Sequence, residues 1–392
     1  MHVRHLGLQN FRNFAELALD LGSGLTLFYG GNAQGKTNLL EAIYMFATSK
    51  SVRAGNERET IGWDALKEEI PFARVRGDIE RARGPLKVEI VVQVARNLGG
   101  QDADTDPEGG LLQKRVKING VPRRASDLIG EVNVVLFTPQ DIDLVYGSPS
   151  VRRRYLDMTL CQVDRALLRE LQRYARVLAQ RNSLLRTIRE GNASADELAF
   201  WDQELVEAGA FITARRAQAM AALDGLARAI HRDLTGGVEG LTLRYLPSVA
   251  SGVTEEAGRR AFREALEAIR QREALQGVSL VGPHRDDFQF IVEGRDLAVY
   301  GSRGQQRTAS LSLKLAEAKF MAERAGDRPV LLLDDVFSEL DAHRRGYLLS
   351  SIADGGQALV TTAEPERIDR HLLSDATTLE VAGGRVGKPG AS

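Results

Sequence analysis

The strongest constraint on this chain comes from two stretches that belong together yet stand about 300 residues apart. The first, Gly30-Gly31-Asn32-Ala33-Gln34-Gly35-Lys36-Thr37, fits the pattern G-x-x-x-x-G-K-[ST]. Leu25-Thr26-Leu27-Phe28-Tyr29 before it reads as a buried strand, and Leu39, Ile43 and Phe46 after it recur at helical spacing. In that context the backbone N–H groups of the loop converge on a β-phosphate, and the helix N-terminus adds partial positive charge. Lys36 then neutralises β/γ oxygens and Thr37 places a hydroxyl on Mg²⁺, so the chain is expected to bind a nucleoside triphosphate. The second stretch, Pro329 to Asp335, is an apolar strand ending in two carboxylates. Asp334 is the expected Mg²⁺ partner of Thr37, and Asp335, on the other side of the strand end, can polarise an attacking water. In a compact nucleotide domain the two stretches are neighbours on one sheet. The chain between them must therefore leave and return, which predicts an α/β head split by an insertion.

The totals narrow the class further. With 52 Lys+Arg against 53 Asp+Glu, any nucleic-acid footprint must be a local patch, because the chain as a whole is balanced. The lone Cys161 sits in an apolar helical context, which fits a structural thiol and a reducing compartment. No apolar run approaches the ~18 residues that span a bilayer, and the N-terminus leads into a strand pattern and not a signal segment. A cytoplasmic protein without a membrane partner is expected.

Three segments follow from the patterns: residues 1–150 as the first part of the head, 151–275 as an α-helical insertion, and 276–392 as the returning part of the head. Phe11 and Phe14 read as core plugs, and Arg12 as either a nucleotide contact or a solvated arginine. Residues 50–70, with Trp63, read as an exposed excursion; 72–94 alternate as sheet, and Asn119-Gly120 reads as a hairpin turn. Asp102-x-Asp104-x-Asp106 does not make a calcium loop, since Pro107 and Gln113 stand where the turn glycine and bidentate Glu belong. A hairpin tip is expected there. Gly282-Pro283-His284-Arg285-Asp286-Asp287 reads as a functional loop of unassigned role.

Ser302-Arg303-Gly304-Gln305-Gln306, ahead of a helix, resembles the signature motif of ABC-type ATPases, and Ser338-Glu339-Leu340-Asp341 resembles their D-loop. Together with residues 8–14, 30–37, 137–141, 152–157, 282–287 and 332–341, the set resembles the RecF family of recombinational-repair ATPases, relatives of SMC-type heads. The resemblance implies an ABC-ATPase/SMC-type head with a P-loop core, a flanking β-sheet and an inserted α-helical lobe. It implies ATP and Mg²⁺ as cofactors, held by Gly30–Thr37 and Asp334. Gln140 takes the Q-loop position that senses γ-phosphate and metal. Ser302 and Gly304, with Gln305 and Asp341, would complete the ATP site of a second subunit. Asp335 stands where many relatives carry the longer Glu, which implies slow, DNA-stimulated hydrolysis. Thr361-Thr362 stands where transporters carry a switch His.

The implied function is an ATP-dependent homodimer on duplex DNA near single-strand/double-strand junctions. It would act with RecO and RecR to load recombinase on gapped DNA, in recombinational repair, replication-fork maintenance and the SOS response to DNA damage. Candidate DNA contacts are Arg123, Arg124, Arg152, Arg153 and Arg154, with Arg173, Arg176 and Arg181 in the insertion; a solvated helix face is the competing reading of each. The alternative function is the ATPase subunit of a membrane transporter, against which stand the missing His, the large insertion and the Asp-Asp pair. An SMC-like linker is a third reading, but residues 152–232 allow at most ~60 Å of hairpin arm.

Overall fold

The computed structural model describes residues 1–96, 110–250, 254–353, 356–365 and 376–388. The acidic stretch with Asp102, Asp104 and Asp106 lies outside the described residues, and with it the expected hairpin tip. The chain divides into two compact units, Met1–Gln140 with Met321–Ser392, and Asp141–Phe320.

The first unit holds two six-stranded sheets. One runs in the order Arg385–Gly387, Thr377–Ala382, Leu25–Tyr29, Ala358–Thr362, Val330–Asp334, Val134–Phe137; every neighbouring pair is parallel except the hairpin that ends it. Its inner strands are covered on both faces, which is why they read as unbroken apolar runs. The other sheet, Phe14–Asp20, His2–Phe11, Phe72–Glu80, Leu86–Arg96, Gly110–Ile118, Val121–Arg123, is antiparallel throughout. There the pattern alternates: Ala73, Val75, Gly77 and Ile79 point inward, and Arg74, Arg76 and Asp78 point outward or to the rim. The helix Lys36–Thr48 packs against strands of both sheets. Its Leu39, Ile43 and Phe46 join one core with Phe11, Phe14, Val75 and Leu332. Both phenylalanines are fully buried, as core plugs should be.

The second unit is mainly helical: Pro149–Cys161, Arg165–Arg189, Leu198–Leu234, Glu255–Gln276 and most of Arg303–Ala325. Local chemistry sets the ends. Pro149 opens the first helix; the Asp164 carboxylate accepts from the N–H groups of Ala166 and Leu167; Thr254 caps Glu255–Gln276, and a left-handed Gly277 ends it. Cys161 is buried here, and burial pushes its thiol up to about 12. The unit also carries a small antiparallel sheet, Arg295–Asp296, Asp287–Val292, Leu241–Leu246. The strand containing Phe288, Phe290 and Val292 takes its partner from the middle region, not from the head. The compact units meet in the chain at 140/141 and 320/321. Among the described residues, no helix is long and apolar enough to cross a membrane.

Candidate functional site

The loop between strand Leu25–Tyr29 and helix Lys36–Thr48 is held open by its own backbone. Gly30, Ala33 and Gly35 all have positive φ (152°, 63° and 111°), which turns successive N–H groups toward one side. The Lys36 Nζ donates to the carbonyls of Gly30 and Gly31, both at 2.7 Å, so the ammonium lies across the loop mouth. Burial lowers its pKa, against the pull of Asp335 and Asp334. The Asn13 side chain braces the loop, its amide donating to the Gln34 carbonyl at 2.8 Å and its oxygen accepting from Asn38 at 2.8 Å.

The hairpin turn at Gly383-Gly384 supports the loop from another side, with the Gly383 N–H donating to Gln34 Oε1 at 2.7 Å. At Gly384 φ is +74°, and a Cβ would sit 2.2 Å from the Asn13 carbonyl. We expect Gly384→Ala to shift this turn, release Gln34 and weaken ATP binding about tenfold. Calorimetric titration of ATP into the variant checks this; unchanged affinity would refute the bracing role.

Asp334 ends the strand Val330–Asp334 beside the loop. Its Oδ1 accepts from Thr37 Oγ1 at 2.8 Å and from Thr361 Oγ1 at 2.8 Å. A hydroxyl and a carboxylate oxygen meeting at the phosphate loop are hard donors that suit Mg²⁺. Among the described residues no cluster of three acidic, His or Cys side chains surrounds the place. Thr361, opposite Asp334 in the parallel register, fixes the carboxylate; Thr362 Oγ1 accepts from the Glu364 N–H and is a strand-end hydroxyl. Asp335 turns the chain with φ 51°, and its N–H donates to Thr361. Burial and the neighbouring Asp334 charge raise its pKa. Gln140 is exposed in the turn Pro139–Ile142, just past a strand paired with that of Asp334.

Arg12 is a clamp. Its guanidinium grips both oxygens of Glu41 at 3.0 and 2.7 Å and donates to the Glu59 carbonyl at 2.6 Å, while buried Ser51 also bonds Glu41. This ties the turn after the first strand to the nucleotide helix and to residues 56–60. The excursion that follows forms one wall of an open groove of about 810 Å³, which includes Asn38, Arg53, Arg58 and Trp63. Trp63 is 83% exposed.

In the second unit, Ser302 and Gln305 form a reciprocal cap. The Ser302 N–H donates to Gln305 Oε1 at 3.0 Å, and the Gln305 N–H donates to Ser302 Oγ at 3.3 Å. Gly304 lies inside the first turn of the helix Arg303–Ala325. In the first unit, Asp341 caps the helix Ala342–Ala353: it accepts from the Arg344 N–H at 2.9 Å, and that bond with the Arg344 charge lowers its pKa.

The arginines divide. Arg123, Arg124, Arg154 and Arg176 are exposed. Arg152 is buried and bidentate to Asp287 at 2.6 and 2.9 Å. Arg153 is half-buried and donates to the Asp286 carbonyl at 2.7 Å. Arg181 is buried between Asp202, Glu273 and Ser279, and Arg173 pairs with Glu204. A run of like charges gave no sign of which members would find carboxylates across the fold.

The loop at 282–287 is tied into the second unit. Asp286 is buried and accepts from Tyr245 Oη at 2.5 Å, the Ser248 N–H at 2.8 Å and Arg216 at 3.2 Å. Arg216 also holds both oxygens of Asp157 at 2.9 Å and the Pro283 carbonyl at 2.6 Å. His284 lies between Tyr174 Oη at 2.7 Å and the Ser279 carbonyl at 3.2 Å, and burial lowers its pKa to about 4, leaving it neutral.

Known proteins resemble this chain in sequence and fold. The family profile described as RecF/RecN/SMC N terminal domain matches residues 2–377. The DNA replication and repair protein RecF of Chloroflexus aurantiacus is 47% identical over 371 residues, 93% of each chain. That of Halalkalibacterium halodurans is 42% identical over 396 residues, 100% of each. A solved structure of the recombination mediator protein RecF, described as RecF-ATPrS, superposes with a TM-score of 0.85 at 31% identity, covering 99% of this chain and 98% of that one. The Smc head domain of Pyrococcus furiosus, at 15% identity and a TM-score of 0.54 over 98% of this chain and 95% of that one, shares the fold. The chain belongs to the RecF family of ABC-ATPase/SMC-type heads.

Proposed function

We propose that the chain is an ATP-operated DNA repair protein in which ATP joins two copies on DNA and slow hydrolysis releases them. The observation that carries this reading is the 2.8 Å bond between Thr37 and Asp334, positions 297 residues apart that meet where a nucleotide-bound Mg²⁺ would sit. Bound there, Mg²⁺ supplies charge neutralisation for the phosphate oxygens. The loop N–H groups and Lys36 would hold the β- and γ-phosphates. Gln140 reports on the γ-phosphate. Asp335, at the turn that follows Asp334, would orient and deprotonate the attacking water.

Ser302, Gly304, Gln305 and Asp341 act in the second subunit's site. The Ser302 oxygen accepts within its own cap, which leaves its proton to donate to a γ-phosphate. Two exposed large side chains, Val299 (70%) and Tyr300 (73%), lie before it with Gly301 between, a surface suited to burial against another copy. Arg123, Arg124 and Arg154 contact DNA phosphates. The protein acts in the cytoplasm at gapped DNA with RecO and RecR, in recombinational repair and replication-fork maintenance, with a weak DNA-stimulated ATPase. The three-part division into split head and insertion is retained in this reading, with the signature motif carried on the second compact unit.

Ser302→Arg tests the in-trans role. The variant should bind ATP as the parent does and fail to dimerise with ATP in sedimentation, in the presence or absence of gapped DNA. Equal loss of both properties would place Ser302 in its own subunit's site.

A further inference from the structure

The cap formed by Ser302 and Gln305 is not free-standing. The other half of the Gln305 amide is committed: its Nε2 donates to Glu239 Oε1 at 2.9 Å. Glu239 lies between the long helix Leu198–Leu234 and the strand Leu241–Leu246, outside the signature segment and 66 residues from Gln305. Its other oxygen lies 3.4 Å from Nε2 of His231, which is completely buried. On the far side, His231 Nδ1 is 3.0 Å from Ser312 Oγ. Ser312 spends its only proton on the Thr308 carbonyl, 2.7 Å away, so its oxygen must accept, and Nδ1 is the nitrogen that carries hydrogen. Ser312 and Thr308 belong to the same helix that Ser302 caps. Two contacts therefore reach this helix from the same region, Glu239 at Gln305 and His231 at Ser312, two turns apart.

We propose that Glu239 is a positioning residue for the signature motif. By holding the Gln305 amide in one orientation, it keeps Gln305 Oε1 on the Ser302 N–H and so fixes where the Ser302 hydroxyl points. A glutamine side chain has three rotatable bonds, and a solvated one would share its time among many rotamers. Anchoring at both ends of the amide removes that freedom before a partner arrives, so the ordering cost is not met on binding. The role concerns the second subunit's nucleotide and rests on the in-trans reading of Ser302 above.

The test uses the full chain. Nucleotide affinity is read with a fluorescent ADP analogue, dimerisation by sedimentation with saturating ATP, and folding by thermal midpoint. Glu239→Ala should weaken ATP-driven dimerisation about tenfold while ADP-analogue affinity stays within about twofold of the parent. Glu239→Gln should recover most of the loss, because its oxygen can still accept from Gln305 and its amide can donate to His231 Nε2. Gln305→Ala should show at least the defect of Glu239→Ala, and the double variant should be no worse than Gln305→Ala alone. Ser302→Arg, run alongside, separates the two failures. If Ser302→Arg dimerises normally, the in-trans reading falls and takes this proposal with it. If Ser302→Arg is monomeric yet Glu239→Ala dimerises like the parent, the proposal alone is overturned. Additive losses in the double variant, or a Glu239→Ala defect shared equally by thermal midpoint, ADP-analogue binding and dimerisation, also overturn it.

Discussion

Lys36→Met should lose ATP binding by a factor of roughly 10² or more, and with it all ATP-driven dimerisation. The side chain is almost buried, its charge is spread over two loop carbonyls at 2.7 Å, and two carboxylates, Asp334 and Asp335, lie close enough to influence its titration. A triphosphate adds further negative charge at that place. Without the ammonium, those phosphates would face the carboxylates with only loop N–H groups to offset the repulsion. Losing the cationic partner of partly buried anions costs about 3 kcal/mol or more, which is the stated factor in affinity. The fold should be unharmed, because methionine fills the aliphatic path of the lysine and the two carbonyls can turn to water. Calorimetric titration with ATP and sedimentation check the two halves; a variant that still dimerised with ATP would remove nucleotide as the agent that joins two copies.

Arg216→Ala should have the largest effect on stability in the second unit, about 3–5 kcal/mol. The guanidinium is buried and serves Asp157, Asp286 and the Pro283 carbonyl together, so its removal strands two carboxylates, one of them fully enclosed. Those groups join the helices Pro149–Cys161 and Leu198–Leu234 to the 282–287 loop and, through Tyr245, to the small sheet. Arg216→Lys, which keeps the charge and loses the fork, should fall between parent and alanine. The chain has two tryptophans, Trp63 in the first unit and Trp201 in the second. In a Trp63→Phe background, Trp201 fluorescence follows the second unit alone through urea unfolding. Its midpoint should drop by ~1–2 M in the alanine variant. An unchanged midpoint would mean that the loop at 282–287 is not held by Arg216.

The loop at 282–287 shows how far reading residues in order can go. Its unusual composition marked it as special, and adjacency offered Asp286 and Asp287 as partners for Arg285. The fold instead gives Asp286 to Arg216 and Asp287 to Arg152, residues 70 and 135 positions away, and gives Arg285 to the Ser279 carbonyl. Thr361 was legible only as an alternative to a switch histidine; that it fixes the Asp334 carboxylate depends on strand register. Asn13 and Glu239 carried no signal of their own. They matter because a turn, or a connection between helix and strand, brings them to an amide that needs a partner.

What the sequence determined by itself was whatever is encoded in consecutive residues. The phosphate loop is such a feature, since its shape comes from the backbone freedom of Gly30 and Gly35 and from the strand and helix on either side. So are the apolar runs of the parallel strands, the alternation of Phe72–Glu80, the helix caps and the serine-glutamine cap at 302–305. The tertiary structure decided which charges are spent. Arg152 and Arg181 are indistinguishable by type from Arg154 and Arg176, yet the first two are buried on carboxylates and the others face solvent. A buried charge must find its counter-charge, and only the packing of distant elements sets which arginines meet one.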